Sequence, residues 1–453
     1  MQKKHHRTAR FTAAEILCNL YQYRAPVKTL FDRVVRRYAL PANERSLTMQ
    51  LLYGVLRHRQ FLDRILELLS RTPLQKLDPF VHQTLAVGLY QLFFLERIPE
   101  SAAVNEAVQS CKAGKIPKRL HGFVNGILRQ SIRQKSDLAV NGLTDKTGRA
   151  ILNHPEWLIK RWRDALGHEE AERICRINNC EPKLVIRVVT QTIDRDDFCR
   201  MLEGAKIQYQ YGTYSPDALV LPNFQGSITT IPGYAEGFFL VQDEAAQLAT
   251  GLLGPFHSGA KYLDGCAGLG GKTSHLLQLA NRNNLQIHAV EPEPHRLKKL
   301  KQNMARLFPG NSPAIHEGNL QQFSSLHDEI TFDGVLIDAP CSGTGVTGRH
   351  PDIRWNRRPE ELMRYQQEQL ALLATAERLV QPNGILVYAT CSMEPEENQE
   401  VIDMFLHSNR NFFLTDCVPY LPEPAHCLVK NKFFTPHPSE TIDGFFAARM
   451  QRT

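Results

Sequence analysis

The spacing of apolar residues predicts helices over the first 140 residues of the 453-residue chain. Apolar side chains recur there at intervals of three and four, first at Phe11, Ile16 and Leu20 and later through the stretch 51–66. This is the period of an amphipathic helix. Prolines separate these short segments, and alternation of β-branched residues is scarce. The pattern therefore predicts an all-α domain over residues 1–140.

The rest of the chain predicts two further domains. After a polar linker (137–149), residues 141–243 combine helical segments (155–166, 168–178, 194–205) with extended ones (183–189, 218–221, 237–242), which indicates a small α+β module. Residues 244–453 repeat an order of strand, glycine-rich turn and helix, which is typical of a doubly wound sheet. The predicted fold class is multidomain, with an all-α N-terminal domain, a small α+β module and a C-terminal Rossmann-like α/β domain.

Charge and cysteine usage narrow the functional classes. Residues 1–140 carry 23 Lys and Arg against 10 Asp and Glu, whereas the remainder is mildly acidic. A basic first domain favours a polyanionic partner, with a solvated basic face as the alternative. Ten scattered cysteines without a C-x-x-C pair argue against a zinc site or a disulfide framework and for the cytoplasm. The basic start from Met1 to Arg10 does not resemble a secretory signal, and no apolar run has the length of a membrane span. We expect no metal and no membrane.

The stretch 261–280, KYLDGCAGLGGKTSHLLQLA, combines an apolar strand, a glycine-rich turn and a helix. Such a turn lets the backbone approach a ligand closely, and the helix N-terminus favours an anionic group. The next strand ends at Glu291, whose carboxylate can accept hydrogen bonds from a ribose diol. Gly271-Lys272-Thr273 also imitates a P-loop, but Cys266 stands where that motif needs its first glycine. A nucleoside triphosphatase therefore remains an alternative.

Two cysteines follow predicted strands of the C-terminal domain. Cys341 ends the segment DAPC after the strand 332–338, and Cys391 lies in TCS after the strand that begins near 384. The carboxyl ends of strands in a doubly wound sheet line one crevice, so both thiols are expected beside the glycine loop. A thiolate can act as a covalent nucleophile, and a small buried hydrophobe is the alternative for each. Spacing alone does not rank one cysteine above the other.

Several of these segments together resemble a known family. RTARFTAAEILCNLY (7–21) and HGFVNGILRQ (121–130) resemble the opening and closing helices of the NusB-like RNA-binding fold. DGCAGLGGKT, DAPCSGTG, RHPDIRW, YATCSMEPEEN and the closing DGFFAARM resemble the bacterial 16S rRNA cytosine-5 methyltransferases of the RsmB (Fmu/Sun) family. The resemblance covers nearly the whole chain, and the paired DAPC and TCS motifs are highly specific.

The resemblance implies an rRNA (cytosine-C5)-methyltransferase that uses S-adenosyl-L-methionine and forms a covalent adduct with carbon 6 of the base. The family target is cytosine 967 of 16S rRNA, so the implied partner is 16S rRNA or a small-subunit assembly intermediate. Cys391 matches the family's nucleophile, and Cys341 matches the cysteine that assists breakdown of the adduct. Asp338 matches the residue that holds the cytosine near the cofactor, and Lys272 matches the loop lysine that reaches the same site.

The resemblance also implies the residues that contact the cofactor, which are Cys266, Ala267, Gly268, Leu269, Gly270, Gly271, Lys272, Glu291, Asn319 and Asp338. Two of these positions depart from the family. Asn319 replaces a carboxylate, and its carbonyl can still accept a hydrogen bond from the adenine amino group. Gly268-Leu269 replaces Ala-Pro, which predicts a less preorganised loop.

Other segments give predictions about RNA contacts and helix capping. Arg7, Arg10, Lys118, Arg119 and Arg129 are expected to contact RNA phosphates if the NusB-like resemblance holds. Trp355 and the arginines of RHPDIRWNRR (349–358) suit stacking on single-stranded RNA, with a loop held by salt bridges as the alternative. Gln242 and Asp243 either shape the cofactor pocket or cap the helix that follows. A non-catalytic, antitermination-like RNA-binding factor remains a second alternative function.

Overall fold

The computed structural model describes residues 7–23 and 25–453, so the first six residues of the basic N-terminal stretch lie outside the described part of the chain. The chain forms two compact units. The first contains residues up to Cys180 together with Thr347–Arg357, and the second contains Glu181–Val346 with Arg358–Thr453. In the part of the chain that is described, no helix combines the length and the apolar character that a membrane crossing requires.

The first unit is helical, as the apolar spacing predicts. Leu51, Leu62, Leu85 and Leu128 are among the residues of a large core in this unit, and each is fully buried. Asp78 shows how local sequence sets a helix start, because its carboxylate accepts hydrogen bonds from the amides of Phe80 and Val81 and a proline follows it. The helices are α1 (Ala9–Tyr23), α2 (Val27–Tyr38), α3 (Ala42–Arg57), α4 (Arg59–Leu69), α5 (Pro79–Phe94), α6 (Glu100–Ala113), α7 (Lys118–Arg133), α8 (Lys135–Asn141), α9 (Glu156–Leu166) and α10 (His168–Asn178).

The second unit begins with a small antiparallel sheet. Its elements are β1 (Leu184–Val188), α11 (Arg195–Gly204), β2 (Gln210–Tyr211), β3 (Ala218–Leu221) and β4 (Phe239–Val241). The strand order is β2-β3-β1-β4. Phe198 of α11 and Phe239 of β4 meet in its core with ring centroids 5.7 Å apart. This is the predicted α+β module, and the short edge strand β2 was not predicted.

The rest of the second unit is a nine-stranded mixed sheet with helices, in the order β11-β12-β13-β9-β8-β5-β6-β7, with β10 paired to β13. Strands β5 to β9 are parallel and the C-terminal strands are antiparallel to them. Its strands are β5 (Lys261–Asp264), β6 (Gln286–Glu291), β7 (Ala314–Glu317), β8 (Phe332–Asp338), β9 (Val380–Thr390), β10 (Phe412–Thr415), β11 (Val429–Lys430), β12 (Phe433–Phe434) and β13 (Phe446–Arg452). Its helices are α12 (Glu244–Gly251), α13 (Gly271–Asn283), α14 (Pro294–Leu307), α15 (Leu320–Leu326), α17 (Leu362–Leu379) and α18 (Gln399–Ser408), whereas the short α16 (Ile353–Asn356) lies in the first unit.

The chain order places a crevice at the carboxyl ends of the central strands. The chain runs from β5 to β6 and β7 on one side of the sheet. It then crosses to β8 and β9 on the other side, so the strand order reverses at β5. Ligands bind at such a reversal in doubly wound sheets. The predicted fold class is confirmed. The division into 1–140, 141–243 and 244–453 stays a prediction, and the predicted linker at 137–149 is wrong in its first part, because α8 extends to Asn141.

Candidate active site

The glycine loop joins β5 to α13 and supplies one wall of the crevice. Gly268 and Gly270 have φ angles of 58° and 89°, which disfavour other residues. A Cβ on Gly270 would lie 2.6 Å from the side chain of Leu300, so only glycine lets this turn pack on α14. A Cβ on Gly268 would meet no atom within 4 Å. The loop therefore has a tightly packed side and an open side.

Glu291 ends β6 and turns its carboxylate towards this loop. It is 3% exposed. One of its oxygens accepts a hydrogen bond from the Gly268 amide at 2.8 Å, and the other accepts from the Glu293 amide at 2.9 Å. A carboxylate has about four lone-pair positions, so Glu291 can accept further hydrogen bonds from a diol.

Lys272 and Asp338 form an ion pair across the crevice. The Lys272 Nζ lies 2.6 Å from an Asp338 carboxylate oxygen and 5.3 Å from the centre of the Phe445 ring. The Lys272 side chain is 8% exposed, whereas that of Asp338 is 36% exposed. The pair therefore presents its carboxylate, rather than its ammonium group, to the solvent side of the crevice.

Cys341 and Cys391 meet, as the strand ends predict. Their sulfur atoms are 3.2 Å apart, and both residues are half-buried. The hydrogen bond to Cys391 and burial raise the pKa of the Cys341 thiol well above its usual value, and the negative charge of Glu397 adds to the rise. Cys341 is therefore held as a thiol that can donate a hydrogen bond to its neighbour.

A third acidic residue, which the sequence analysis did not single out, connects the two cysteine turns. Glu397 lies in a short 3-10 helix (Pro395–Glu397) and is fully buried. It accepts hydrogen bonds from the amide and hydroxyl of Ser342 and from the hydroxyl of Ser392. Each serine directly follows one of the two cysteines. Glu397 stands within the quoted motif YATCSMEPEEN, but the motif gave no signal of this role.

The remaining predicted cofactor residues lie around the glycine loop. Cys266 is half-buried, and burial raises the pKa of its thiol. Ala267 is buried, whereas Leu269 is 43% exposed and its carbonyl accepts a hydrogen bond from Asn303 of α14. Asn319 caps α15, with its side-chain oxygen 2.8 Å from the Gln322 amide. That oxygen keeps one lone pair for another donor.

Two weaker predictions have a definite outcome. Asp243 caps α12, because its carboxylate accepts a hydrogen bond from the Ala245 amide. Gln242 lies beside the glycine loop and accepts a hydrogen bond from the guanidinium group of Arg187, which also donates to the Gly271 carbonyl at 3.1 Å. The capping interpretation therefore holds for Asp243, and Gln242 takes part in supporting the loop.

The predicted base-stacking role of Trp355 is wrong. Its ring nitrogen donates to the Leu56 carbonyl at 2.7 Å, and the side chain packs against the helical core of the first unit. Arg354 is fully buried, and its guanidinium group donates to four oxygen atoms of the same unit, two of them the carbonyl oxygens of Asn153 and Asn178. This segment is held by hydrogen bonds within the protein, which engage the buried Arg354 and the ring nitrogen of the half-buried Trp355.

The five basic residues predicted to contact phosphates all lie in the first unit. Lys118, Arg119 and Arg129 are exposed on α7. The Arg10 side chain already makes a hydrogen bond within the protein, because its Nε donates to the Gln91 side chain at 2.9 Å. The Arg7 guanidinium group lies 3.9 Å from the Phe11 ring centre. Their contact with RNA stays a prediction.

Comparisons with known proteins agree with this architecture. Family models match at residues 7–133 (NusB family), 154–226 (RsmF/B-like methyltransferase, ferredoxin-like domain) and 252–451 (16S rRNA methyltransferase RsmB/F). The probable ribosomal RNA small subunit methyltransferase B of Bacillus subtilis is 34% identical over 98% of this chain and 99% of its own length. This chain belongs to the ribosomal RNA small subunit methyltransferase B family.

Two further relatives extend the comparison. The ribosomal RNA small subunit methyltransferase B of Salmonella arizonae is 36% identical over 82% of this chain and 84% of its own length. The crystal structure of the protein PH0851 has the same fold, with a TM-score of 0.75 at 23% identity over 98% of this chain and 99% of that one. The resemblance and the NusB-like domain are thus confirmed. As a member of the methyltransferase B family, the chain is an rRNA methyltransferase that depends on S-adenosylmethionine, which sets aside the nucleoside triphosphatase and the non-catalytic factor.

The residues of the crevice fit this cofactor. The open side of Gly268 leaves room above the loop, and the N-terminus of α13 has no side-chain cap. Its free N–H groups and the positive end of the helix dipole suit the carboxylate of the methionine part. Glu291 has unused lone pairs for the ribose hydroxyls. Together these donors and acceptors suit a nucleoside that carries an anionic tail.

Proposed function

We propose that this enzyme methylates carbon 5 of a cytosine in 16S rRNA, at the family's position 967, through a covalent adduct with Cys391. The observation that carries the proposal is the separation of 3.2 Å between the sulfur atoms of Cys391 and Cys341, at the ends of two adjacent strands beside the glycine loop. Carbon 5 of cytosine is a poor nucleophile, so its methylation needs prior activation of the ring.

The proposed steps use the thiol pair in turn. The Cys391 thiolate forms a bond to carbon 6, the electron pair of the C5–C6 double bond moves to carbon 5, and the ring nitrogen N3 takes up a proton. Carbon 5 then accepts the methyl group that S-adenosylmethionine supplies when bound. Finally carbon 5 and N3 each lose a proton to solvent, the C5–C6 double bond re-forms, and the C6–S bond breaks as Cys391 leaves as a thiolate. Cys341, which retains its proton, assists this departure by donating a hydrogen bond to the leaving sulfur.

Asp338 and Lys272 are proposed to hold the base during these steps. The exposed carboxylate of Asp338 faces the crevice, where it can meet the N3 and amino edge of a cytosine. The buried ammonium group of Lys272, 2.6 Å away, keeps this carboxylate in place. The base must leave its stack to reach the thiols. The substrate is therefore proposed to be 16S rRNA, free or in a small-subunit assembly intermediate, and the location to be the cytoplasm, where ribosomes assemble.

A trapping experiment tests the covalent step. RNA with 5-fluorocytidine at the target position should stall the enzyme, because carbon 5 then has no proton to lose and the C6–S bond cannot break. We expect wild-type enzyme with S-adenosylmethionine to give an adduct that survives a denaturing gel. Cys391→Ala should give none, and Cys341→Ala should accumulate adduct even on unmodified RNA.

Cys427→Ala is the matched control, because that thiol is exposed and outside the crevice, and it should behave as wild type. An adduct formed by Cys391→Ala, or the absence of one with wild type, would overturn the proposal. Bisulfite sequencing of rRNA, free or within subunits, then locates the methylated position and identifies the preferred substrate.

A further inference from the structure

The two turns that carry the cysteines share one buried carboxylate. Glu397 has no accessible surface. Its Oε1 accepts the Ser342 amide at 2.7 Å and the Gln369 side-chain amide at 3.2 Å. Its Oε2 accepts the hydroxyls of Ser342 and Ser392, the latter at 2.6 Å. The two hydroxyl oxygens are themselves 3.1 Å apart, so the carboxylate and both serines form one closed network.

None of these donors carries a charge, so the burial of the carboxylate is unfavourable for the free energy of folding. Removing an ion from water is unfavourable unless a countercharge or several hydrogen bonds replace the solvent. Burial raises the pKa of Glu397, and the hydrogen bonds from Ser342, Ser392 and Gln369 oppose that rise. An apolar side chain of similar volume would leave the Ser342 amide and the two serine hydroxyls without their buried acceptor. The carboxylate is therefore the group that holds these donors of the two turns to one another.

The backbone next to the network is also constrained. The Tyr388 hydroxyl donates to the Glu397 carbonyl at 2.6 Å, and the Asn398 side chain donates to the Ser392 carbonyl at 3.0 Å. The Gly345 amide donates to the Cys391 carbonyl at 2.9 Å. The network thus connects the end of β9 to the loop after β8, and the thiols extend from residues adjacent to it.

We propose that Glu397 is a positioning residue that holds the turns of Cys341 and Cys391 together, so that the Cys341 thiol stays within hydrogen-bond reach of the sulfur that bonds to the base. This inference rests on the proposed covalent mechanism. The carboxylate touches neither thiol through any described hydrogen bond; it acts through Ser342 and Ser392, which directly follow the two cysteines.

Kinetics of point variants test the inference. Glu397→Gln keeps the shape but gives the two hydroxyls an NH₂ group in place of an acceptor. We expect the single-turnover methyl-transfer rate to fall roughly 10- to 100-fold, the scale of a small misplacement of reacting groups, whereas the Kd for S-adenosylmethionine stays within about twofold. Glu400→Gln, the same substitution at an exposed position three residues on, should leave rate and affinity unchanged.

A second readout distinguishes positioning from a general loss of structure. If Glu397 acts through the serines, Ser392→Ala should slow the wild type but should add almost nothing to Glu397→Gln. Ser342→Ala and Ser392→Ala, which leave the carboxylate in place, provide the test if Glu397→Gln does not fold. A wild-type rate in Glu397→Gln, or in both serine variants, would overturn the inference, as would fully additive effects.

The 5-fluorocytidine RNA separates this inference from the proposed function. If wild type forms no adduct, the covalent mechanism fails whatever Glu397 does. If wild type forms the adduct and Glu397→Gln forms it equally fast, the mechanism stands and the positioning role fails. We expect wild type to form it and Glu397→Gln to form it at least about tenfold more slowly.

Discussion

Asp264, at the end of β5, is an acid whose environment disfavours its charge. It is 1% exposed, and the Thr273 hydroxyl donates to it at 2.7 Å. Burial raises the pKa of Asp264 from 3.8 to about 6, and the negative charge of Asp338 adds to the rise while the Thr273 hydrogen bond opposes it. Because the acid lies directly before the glycine loop, its protonation state is coupled to the stability of the cofactor site.

This shift gives a stability prediction with a definite sign. The folded protein keeps the Asp264 proton up to about pH 6, whereas the unfolded chain loses it near pH 3.8. The stabilisation is therefore fully present below about pH 4 and is lost as the pH rises to about 6, with a magnitude on the order of 3 kcal/mol. Asp264→Asn does not titrate.

Calorimetry of both proteins at several pH values measures the effect. The Tm of Asp264→Asn relative to wild type should increase between pH 4 and pH 6 and stay constant above that range. Other titrating groups are common to both proteins and cancel in the difference. A Tm difference that is independent of pH would contradict the raised pKa.

At the scale of single residues, the sequence predicted the positions of side chains that follow strand ends. It did not predict which polar or aromatic side chains are buried by packing. The meeting of Cys341 and Cys391 follows from the topology of a doubly wound sheet, in which the ends of adjacent strands share one edge. Glu397 gave no signal, because a buried acid in a polar motif looks like any surface acid. Trp355 was misjudged for the converse reason, since an aromatic among arginines looks exposed until its packing partner is known.

At the scale of elements, one arginine links the small module to the cofactor loop. Arg187 of β1 is fully buried and donates to the Gln242 side chain, to the Gly271 carbonyl and to the Ser274 hydroxyl, the last at 2.7 Å. Burial lowers the pKa of its guanidinium group to about 9, and the group remains charged near neutral pH. Strand β1 therefore supports the first turn of α13 directly.

Arg187→Met should weaken the cofactor site without touching the thiols. It removes a donor from the buried side chains of Gln242 and Ser274, and a buried acceptor left unsatisfied costs about 1–3 kcal/mol. We expect a Kd for S-adenosylmethionine raised about tenfold or more and a lower Tm. Isothermal titration and calorimetry measure both, with the exposed Arg200→Met of the same module as control. An unchanged Kd would show that β1 does not support the loop.

Element positions were predictable where the pattern is periodic or where a glycine turn marks the boundary. The predicted strand at 218–221 matches β3 at both ends, and the predicted helix 168–178 matches α10. The two-residue strands β2, β11 and β12 were not predicted, because so few residues carry no periodicity. Their pairing depends on neighbours that are distant in the sequence.

At the scale of the whole molecule, one compact unit takes its residues from two distant parts of the chain. Thr347–Arg357 follows the Cys341 loop in sequence, yet it belongs to the helical unit. The Asp352 carboxylate accepts a hydrogen bond from the Val27 amide at 3.0 Å. Arg354 donates to the carbonyl oxygens of Asn153 and Asn178 near the ends of helical segments.

Arg354→Met should destabilise the helical unit. The substitution leaves three buried acceptors and one half-buried acceptor without this donor, and we expect a loss of about 3 kcal/mol or more in the free energy of unfolding of that unit. Hydrogen exchange of the amides around residues 152–154 and 177–180 should become faster. Arg45→Met, an exposed arginine in the same unit, should leave this exchange unchanged. Unaltered exchange in Arg354→Met would show that the segment contributes little.

The fold class was predictable from the sequence at this scale, since each domain has its own apolar period. The membership of the segment 347–357 was not, because long-range hydrogen bonds from Arg354 and Trp355 decide it and neither residue signals its partner. Predicted boundaries assume that a domain is continuous in sequence, and this chain does not satisfy that assumption.

The discontinuous helical unit restricts how relatives of this enzyme can be recombined. A chimera that exchanges only the N-terminal 180 residues would place a foreign set of carbonyl acceptors around the recipient's own Arg354 and Trp355. The graft keeps its native contacts only if the undecapeptide from Thr347 to Arg357 is transplanted with it. The two stretches should therefore be inherited together, although residues 181–346 separate them in the sequence.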